Sequence, residues 1–574
     1  MERRVLLAIF LSFVVLYVYQ SVFVPPQPPP TTKSNVDSSQ EAVTRSNPNS
    51  PAPQTPVAPK LAPPLVSASE VREVVVDTGK VRAIFTNRGG RLTKWLLTDY
   101  TTNDGEPLNL VPSGLQDQQL PFSLQSDDET TTITLNSALY QIENSGAAST
   151  VDATTAPATL TFAYQDTTGL EVRKEYRFTP DSYSVELVVQ ATQNGLPINV
   201  ALELGPGLSD SGSLVGEGGF FSGMLSQAPQ AIFHTGDDVE RVGASNINET
   251  PTHEAAFRFV GIDDHYFVVA VIEPGISRVD YKTVTLPPLT NDQSQRELVA
   301  YKIQFPETPP PIKVYFGPKL FDELQRVDDE FVRAINFGIF AWLVVPLLGV
   351  LNWIYGFVGN YGVSIITLTI LINLAISPLR HKSMVSMRKM QALSPRIKAI
   401  QDRYKELKFS DPARGKMNSE VMAVYRENGT SPASGCLPML LTMPVLFSFY
   451  ALLGQAVEIR GAEFGLWVHD LSQKDPYYIT PLLMGATMFW QQRITPTTVD
   501  ATQQKVMLAM PVMFTFLFLS LPSGLVLYWF VSNLCAIGQQ YFTNRLIGAS
   551  PLPDRRVKNI GSGRTNKARK PSKP

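Results

Sequence analysis

In this 574-residue sequence the side chains best placed to do chemistry inside an apolar setting are neutral. Residues 364–380 read SIITLTILINLAISPLR, an Ile/Leu run interrupted by one amide, Asn373. Thr369 lies four residues before it and Ser377 four after, a spacing that places all three on one face of a helix. A polar stripe facing lipid finds no partner, so such positions are default candidates for a functional site. Single Ser and Thr hydroxyls usually bond to their own helix backbone, but the amide of Asn373 cannot be fully satisfied that way. The chemistry on offer is hydrogen bonding and hydration. Five apolar runs, at about 360–380, 436–456, 477–493, 505–521 and 523–543, carry no Asp, Glu, His or Lys in their central portions. That excludes an intramembrane protease and argues against a proton-coupled transporter.

No other catalytic or metal constellation is expected. The motif HEAAF at 253–257 lacks the second histidine of a metalloprotease, and no GxxxxGK[ST] loop occurs. His234, His253 and His265 are read as ordinary strand or surface histidines. Cys436 and Cys535 are the only cysteines, both at or inside apolar runs, so no disulfide framework or cysteine zinc site is expected. Pro438, Pro444 and Pro511 fall within apolar runs, and Pro522-Ser523-Gly524 reads as a tight hairpin between two of them.

The elements around these runs follow from composition. Residues 5–24 follow Arg3 and Arg4, are long enough to span a bilayer and lack a small-residue cleavage site, so an uncleaved anchor over 1–24 is predicted. Residues 25–69 are Pro-rich without aromatics, a tether. From 70 to 318 the period is two: Leu160, Phe162, Tyr164; Val172, Lys174, Tyr176, Phe178; Tyr183, Val185, Leu187, Val189, with DTTG and TPDS turns between. This predicts an all-β sandwich. Residues 319–338 change to a helical period, with Leu320, Leu324, Val327, Phe331 and Ile335 on one face, which predicts a helix along the membrane surface. The run 339–359 holds Pro346, Asn352, Trp342, Trp353 and Tyr355, which suit the interface.

Charge decides the topology. The 381–435 loop is rich in Lys and Arg, and the 546–574 tail carries eight basic residues from Arg555 to Lys573 against Asp554, so both are placed in the cytoplasm. One anchor then puts the β domain outside, and six spans with both termini inside follow, with 339–359 interfacial. Within the loop, Ser394-Pro395 and Asp411-Pro412 read as helix starts and Gly429 as a stop, giving a helical hairpin. Arg388, Lys389, Arg396, Lys398 and Arg403 on its basic outer faces suit a ribosome, a targeting factor or anionic lipid, and equally a solvated hairpin.

SGCLPMLLTMPVLFSFYALL (434–453), LWVHDLSQKDPYYITPLLMGATMFWQQRITPTT (466–498) and MPVMFTFLFLSLPSGLVLYWFVSN (510–533) closely resemble the YidC membrane protein insertase family, whose relatives occur in mitochondria and plastids. The likeness runs in order through about 360–545, and the anchor, tether and β domain resemble the Gram-negative layout. It implies a multi-domain membrane protein: a polytopic α-helical core of five spans at 360–545 plus the anchor, and an all-β periplasmic supersandwich. It implies no enzyme and no cofactor. Nascent membrane proteins are received in a hydrophilic groove and released into the inner membrane, alone or beside the Sec translocon, with no specific nucleic acid beyond ribosomal contact. By family position Asn373 and Thr369 line that groove, Ser377 continues their face, and Tyr528 with Trp529 matches a client-contacting aromatic pair. Alignment of the SPL segment places the family's usual basic residue at Asn373, and Arg380 stands only at the exit of the span, so a polar groove without that charge is expected. A channel or transporter for a small solute is the alternative.

Overall fold

The computed structural model describes residues 62–547, apart from 103, 116–119, 144–149, 209–227, 237, 288–295, 307–308, 405–410, 430–436 and 496–500. The anchor at 1–24, most of the tether, Cys436 and the basic tail beyond 547 lie outside the described residues, as do the side chains at 437–441 and 501–506. The described parts of Ala62–Val499 and Met507–Pro574 belong to one compact unit.

Alternation becomes sheet where it was expected. Strands Ala158–Asp166, Leu170–Phe178 and Ser184–Gln193 form an antiparallel meander in which Tyr176 faces Leu160 on one side and Leu187 on the other. Leu160, Phe162, Val172, Phe178 and Val185 are all buried, as a period of two requires when one face is covered. The DTTG turn closes through the Thr168 N–H donating to Asp166 Oδ1 at 2.8 Å, with Gly169 at φ +83°, the left-handed region that favours glycine. The meander belongs to a 14-stranded sheet, and a five-stranded sheet of Pro107–Asn109, Arg91–Thr101, Val81–Thr86, Glu73–Asp77 and Thr150–Asp152 faces it. Phe85 meets the Tyr176 ring at 4.7 Å and Trp95 Nε1 donates to Phe316 O at 2.9 Å, so aromatic residues from both sheets fill the interior.

Lys174 also points into this interior. Its Nζ donates to Gly89 O at 2.7 Å and Phe122 O at 2.8 Å. Burial, helped by the charge of Arg91, pushes its ammonium well below the usual lysine range.

The first helix, α1 (Glu129–Ser137), is capped by Asp128, whose carboxylate accepts the Thr131 N–H at 2.6 Å. The expected surface helix at 319–338 is instead broken into α2 (Phe321–Val327) and short 3-10 turns at Phe331–Ala334 and Gly338–Phe340. Its apolar side is spent on the β domain: Phe331 packs on Phe259 and Tyr315 at 5.1 and 5.4 Å. A continuous stripe on paper becomes a strap once a sheet offers a better-packed partner than a surface.

The helical region comprises α3 (Ala341–Val358), α4 (Tyr361–Arg403), α5 (Ala413–Glu427), α6 (Leu437–Gln455), α7 (Ile479–Ile494), α8 (Ala501–Phe518) and α9 (Ser523–Ile547). By length and hydropathy, Gly338–Val358 and Tyr361–Arg403 are long and apolar enough to cross a membrane. The sequence places the first of these at the interface; α3 buries Val344, Leu348, Leu351 and Ile354 and exposes Trp342, Trp353 and Phe357. Helix α4 does not restart at Ser394-Pro395 but runs unbroken through Pro378 and Pro395. Leu393, Ile397 and Ile400 are buried along that stretch, so packing offsets the roughly 3 kcal/mol that an internal proline costs. Gly429 does follow the end of α5, at φ +62°. A loop at 460–478 ties the helices together: Asp475 Oδ2 accepts the Thr480 N–H at 2.8 Å and Trp467 Nε1–H at 3.2 Å, and the Ser523 and Gly524 N–H groups donate to Gln473 O and Leu471 O.

Candidate functional site

The polar stripe of α4 meets a matching stripe on α9. Tyr528, Ser532, Cys535, Gln539 and Thr543 recur along α9 at helical spacing, so they share one face. Three contacts join the two stripes in register. Asn373 Nδ2–H reaches Ser532 Oγ at 3.4 Å, Gln539 Nε2–H donates to Ser377 O at 2.7 Å, and His381 Nδ1 meets Thr543 Oγ1 at 3.1 Å. Further along, Arg388 Nη2–H donates to Asn544 Oδ1. The upper end is closed. Thr369 is fully buried and its hydroxyl donates to Ile365 O at 2.6 Å, while Asn373 Nδ2–H also donates to Thr369 O at 2.8 Å. Lower down the seam is half open, at Ser377, Arg380, Ser532 and Gln539.

Asn373 has a third partner that sequence reasoning missed. Arg380 Nη1–H donates to Asn373 Oδ1 at 2.8 Å. The expectation of a seam without a cation is therefore corrected: the guanidinium arrives from seven residues further along α4. Positions seven apart share a face, and helical side chains lean toward the N-terminus, which carries a long side chain at 380 back over the preceding turns. That spacing was the available signal; standing past Pro378 hid it.

The aromatic pair divides. Tyr528 stacks on Phe449 of α6 with ring centroids 4.2 Å apart, beside the seam, whereas Trp529 turns to Phe518 of α8 at 4.9 Å. Neighbouring positions on a helix point about 100° apart, so the two cannot share one wall. Two cavities among the described residues are apolar. One of about 540 Å³ is lined by Ile366, Ile370, Leu527, Phe530 and Leu534 among others, and one of about 400 Å³ lies between α7 and α8 around Phe489 and Phe516. Thr369, Asn373 and Ser377 line neither.

Of the five basic candidates at 388–403, Arg388 is held by Asn544 and Arg403 pairs with Glu420 at 3.0 Å. Lys389, Arg396 and Lys398 are exposed and form no ion pair among the described residues. Also among the described residues, no three His, Cys, Asp or Glu side chains converge as a metal site would require.

The β domain meets the helices through residues that sequence gave no reason to single out. His265 Nε2–H donates to Gly454 O, and the Arg460 guanidinium lies 5.4 Å over the Tyr266 ring and 4.9 Å over that of Phe267. His265 is thus a joint residue, not an ordinary surface histidine, and burial pulls its pKa down to about 4. Burial pushes Asp264 up to about 6. Burial also pushes Glu458, beside α2, up to about 7, with the charge of Asp322 adding to the rise and the Phe321 N–H opposing it.

A β domain strapped to a bundle of apolar helices, two of which meet along a polar seam, defines a membrane protein of two parts. Residues 353–550 match the family described as 60Kd inner membrane protein, and residues 73–350 match the YidC periplasmic domain. The chain is 34% identical over 569 residues to the membrane protein insertase YidC of Geobacter metallireducens, covering 96% of this chain and 99% of that one. It is 33% identical over 578 residues to the protein of the same name from Syntrophus aciditrophicus, covering 95% and 100%. A solved active YidC insertase with its first transmembrane domain resolved is 16% identical, with a TM-score of 0.34, covering 84% of this chain and 95% of that one. The chain belongs to the YidC membrane protein insertase family.

Proposed function

We propose that this protein is an insertase and chaperone of the bacterial inner membrane, receiving hydrophobic segments of nascent proteins beside the α4–α9 seam and releasing them into lipid, alone or with the Sec translocon. The observation that carries this reading is similarity along almost the whole chain to proteins named membrane protein insertase. The chemistry agrees with it. A polar seam set among apolar helices lowers the cost of drawing a client's polar tail through hydrocarbon, and no bond has to be made or broken.

In this reading the domains are the anchor 1–24, the linker 25–69, the β-supersandwich 70–318 in the periplasm, interfacial segments 319–359, a five-span core 360–545 with a cytoplasmic hairpin 381–435, and the basic tail 546–574. Six spans with both termini in the cytoplasm follow from the positive-inside rule. Asn373, Thr369, Ser377 and Tyr528 serve the client path, with Trp529 on its flank. Lys389, Arg396 and Lys398, being exposed and unpaired among the described residues, are the hairpin cations open to the ribosome, targeting factors or anionic lipid. Depletion of the protein should stall insertion of small membrane proteins, read by protease protection of their translocated tails. Unchanged insertion of every client tested would refute the proposal.

A further inference from the structure

The strap that joins the β domain to α3 covers a histidine with nothing to bond. Strand register puts three ionisable residues on one face of the large sheet: His234 pairs across with Phe259 and Val239, Ile232 with Gly261 and Arg241, and Gln230 with Asp263, so His234, Arg241 and Asp263 point the same way. The 3-10 turn Phe331–Ala334 lies on that face. Phe331 packs on Phe259 at 5.1 Å, the His234 ring stacks on the same Phe259 at 5.4 Å, and Arg241 Nη2–H donates to Arg333 O and Ala334 O at 3.2 and 3.0 Å. His234 is fully buried, and among the described residues neither of its ring nitrogens has a hydrogen-bond partner. Buried polar atoms left without a partner are rare and call for an explanation.

The carboxylates around the ring are already engaged. Glu330 on the strap has its Oε2 3.9 Å from His234 Nε2, but the same oxygen accepts from Arg333 Nε at 2.8 Å. Asp328 Oδ1 accepts the Glu330 N–H at 2.9 Å. On the sheet, Arg258 adds positive charge, and Asp263 Oδ2 is shared by Lys319 Nζ at 2.7 Å and Arg241 Nε at 3.6 Å. Burial first, and then the charge of Arg333, hold the imidazole below the ordinary histidine range, with Glu330 and Asp328 opposing. We propose that His234 is an acid-released latch: neutral, it lets the strap close over the sheet, and protonated, it drives the Phe331–Ala334 turn off Phe259 so that the new charge reaches water. The latch holds the two halves of the molecule together, because the strap ends at Phe340, whose ring stacks on Phe447 of α6 at 5.7 Å. Its trigger is a proton from the water outside the strap, and it works independently of any client path. The closed strap binds that proton less tightly than the open one. Its hold is fully present above the open-state histidine value of about 6.5 and is lost as pH falls below it.

The test follows hydrogen exchange in the full-length protein from about pH 7.5 to about pH 5.5, at the Arg333 and Ile335 amides, which donate to Glu330 O and Val332 O within the strap. Each rate is divided by the intrinsic rate at that pH and by the change at the Tyr176 amide, well away along the same sheet, so that general loosening cancels. Strap exchange should rise by about tenfold over the interval, the factor by which protonation of an ordinary histidine multiplies the open state. His234→Phe keeps an aromatic ring against Phe259 but takes no proton, and should abolish the rise. Glu330→Gln removes the nearest carboxylate and should preserve it. No rise in the wild-type protein overturns the latch before any variant is made. A rise that survives in His234→Phe assigns the response to another group and overturns it too, as does a rise lost in Glu330→Gln, which would make the carboxylate the titrating group. The sign separates this latch from Glu458, whose raised pKa loosens its own joint as pH rises and not as it falls.

Discussion

Two basic side chains show how differently the two halves of this molecule treat polarity. In the β domain, Lys174 is sealed in the interior, and its Nζ donates to the Gly89 and Phe122 carbonyls. In the helical region, Arg380 donates to one neutral acceptor, Asn373 Oδ1, among the described residues and stands half open. The first arrangement is complete and stabilises a fold. The second is partial and stands at the half-open end of the seam. Buried polar groups that are fully satisfied rigidify a core and specify one structure.

The comparison is broken most severely from the β side. Trp95→Ala removes a fully buried indole and its bond to Phe316 O, and should destabilise the β domain by about 3–5 kcal/mol. Urea unfolding of the full-length protein, followed by limited proteolysis between 70 and 318, should show the loss there first. Client insertion should fall much less than stability, because the seam lies on α4 and α9. A proportional loss of insertion would show that the β domain takes part directly.

A smaller effect is expected where helices touch. A Cβ at Gly485 would stand 2.0 Å from Thr515 Oγ1 and about 3.1 Å from its Cβ. Gly485→Val should therefore force α7 and α8 apart and cost about 1–3 kcal/mol. It should lower the detergent melting temperature with much less effect on client insertion, since none of the described α4–α9 seam contacts involves Gly485. A proportional loss of insertion would mean that the seam is coupled to the packing of α7 on α8.

The joint between the halves should respond to pH. Glu458 has its pKa raised from 4.5 to about 7, chiefly by burial. The folded state therefore holds its proton more tightly than the unfolded chain does. The contribution to docking is fully present below about pH 4.5 and is lost as pH rises through about 7. Hydrogen exchange at the Phe321 amide should accelerate between pH 6 and 8 beyond the intrinsic rate, as judged against a β-domain amide remote from the joint. Glu458→Gln should flatten that excess. An excess of equal size in the variant would assign the pH response to Asp264 or another group.

The smallest effect belongs to the exposed pair of Arg403 and Glu420, at 3.0 Å with both side chains well exposed. Arg403→Ala should change stability by less than about 0.5 kcal/mol, as surface pairs of this kind do. A larger loss would mean that the packing of α5 on the end of α4 depends on that contact.

Some of this was legible in the sequence because it depends only on local period. Leu160, Phe162, Val172, Tyr176, Val185 and Leu187 announce their sheet by alternation, and every one is buried. The stripe of Thr369, Asn373 and Ser377 was readable for the same reason, since helical spacing fixes which residues share a face. What the stripe faces was not, because it depends on which helix packs there; the answer is Ser532 and Gln539 on α9, some 160 residues away in the chain. The stripe at 320–335 is legible as apolar, but the single continuous helix it suggests is broken, because Phe331 packs on Phe259 and Tyr315. Pro395 suits a helix start by a local rule, and buried packing at Leu393, Ile397 and Ile400 overrides it.

By itself, then, the sequence determined period, burial face, the bias of charge and membership of a family, because each is a property of short segments or of motif order. Tertiary structure alone decided that Arg380 returns to Asn373, that Tyr528 and Trp529 part company, and that His265 belongs to a joint. Each of these depends on where a side chain ends among neighbours distant in the chain, and the reach of an arginine across two helical turns is settled only when an acceptor stands at the other end.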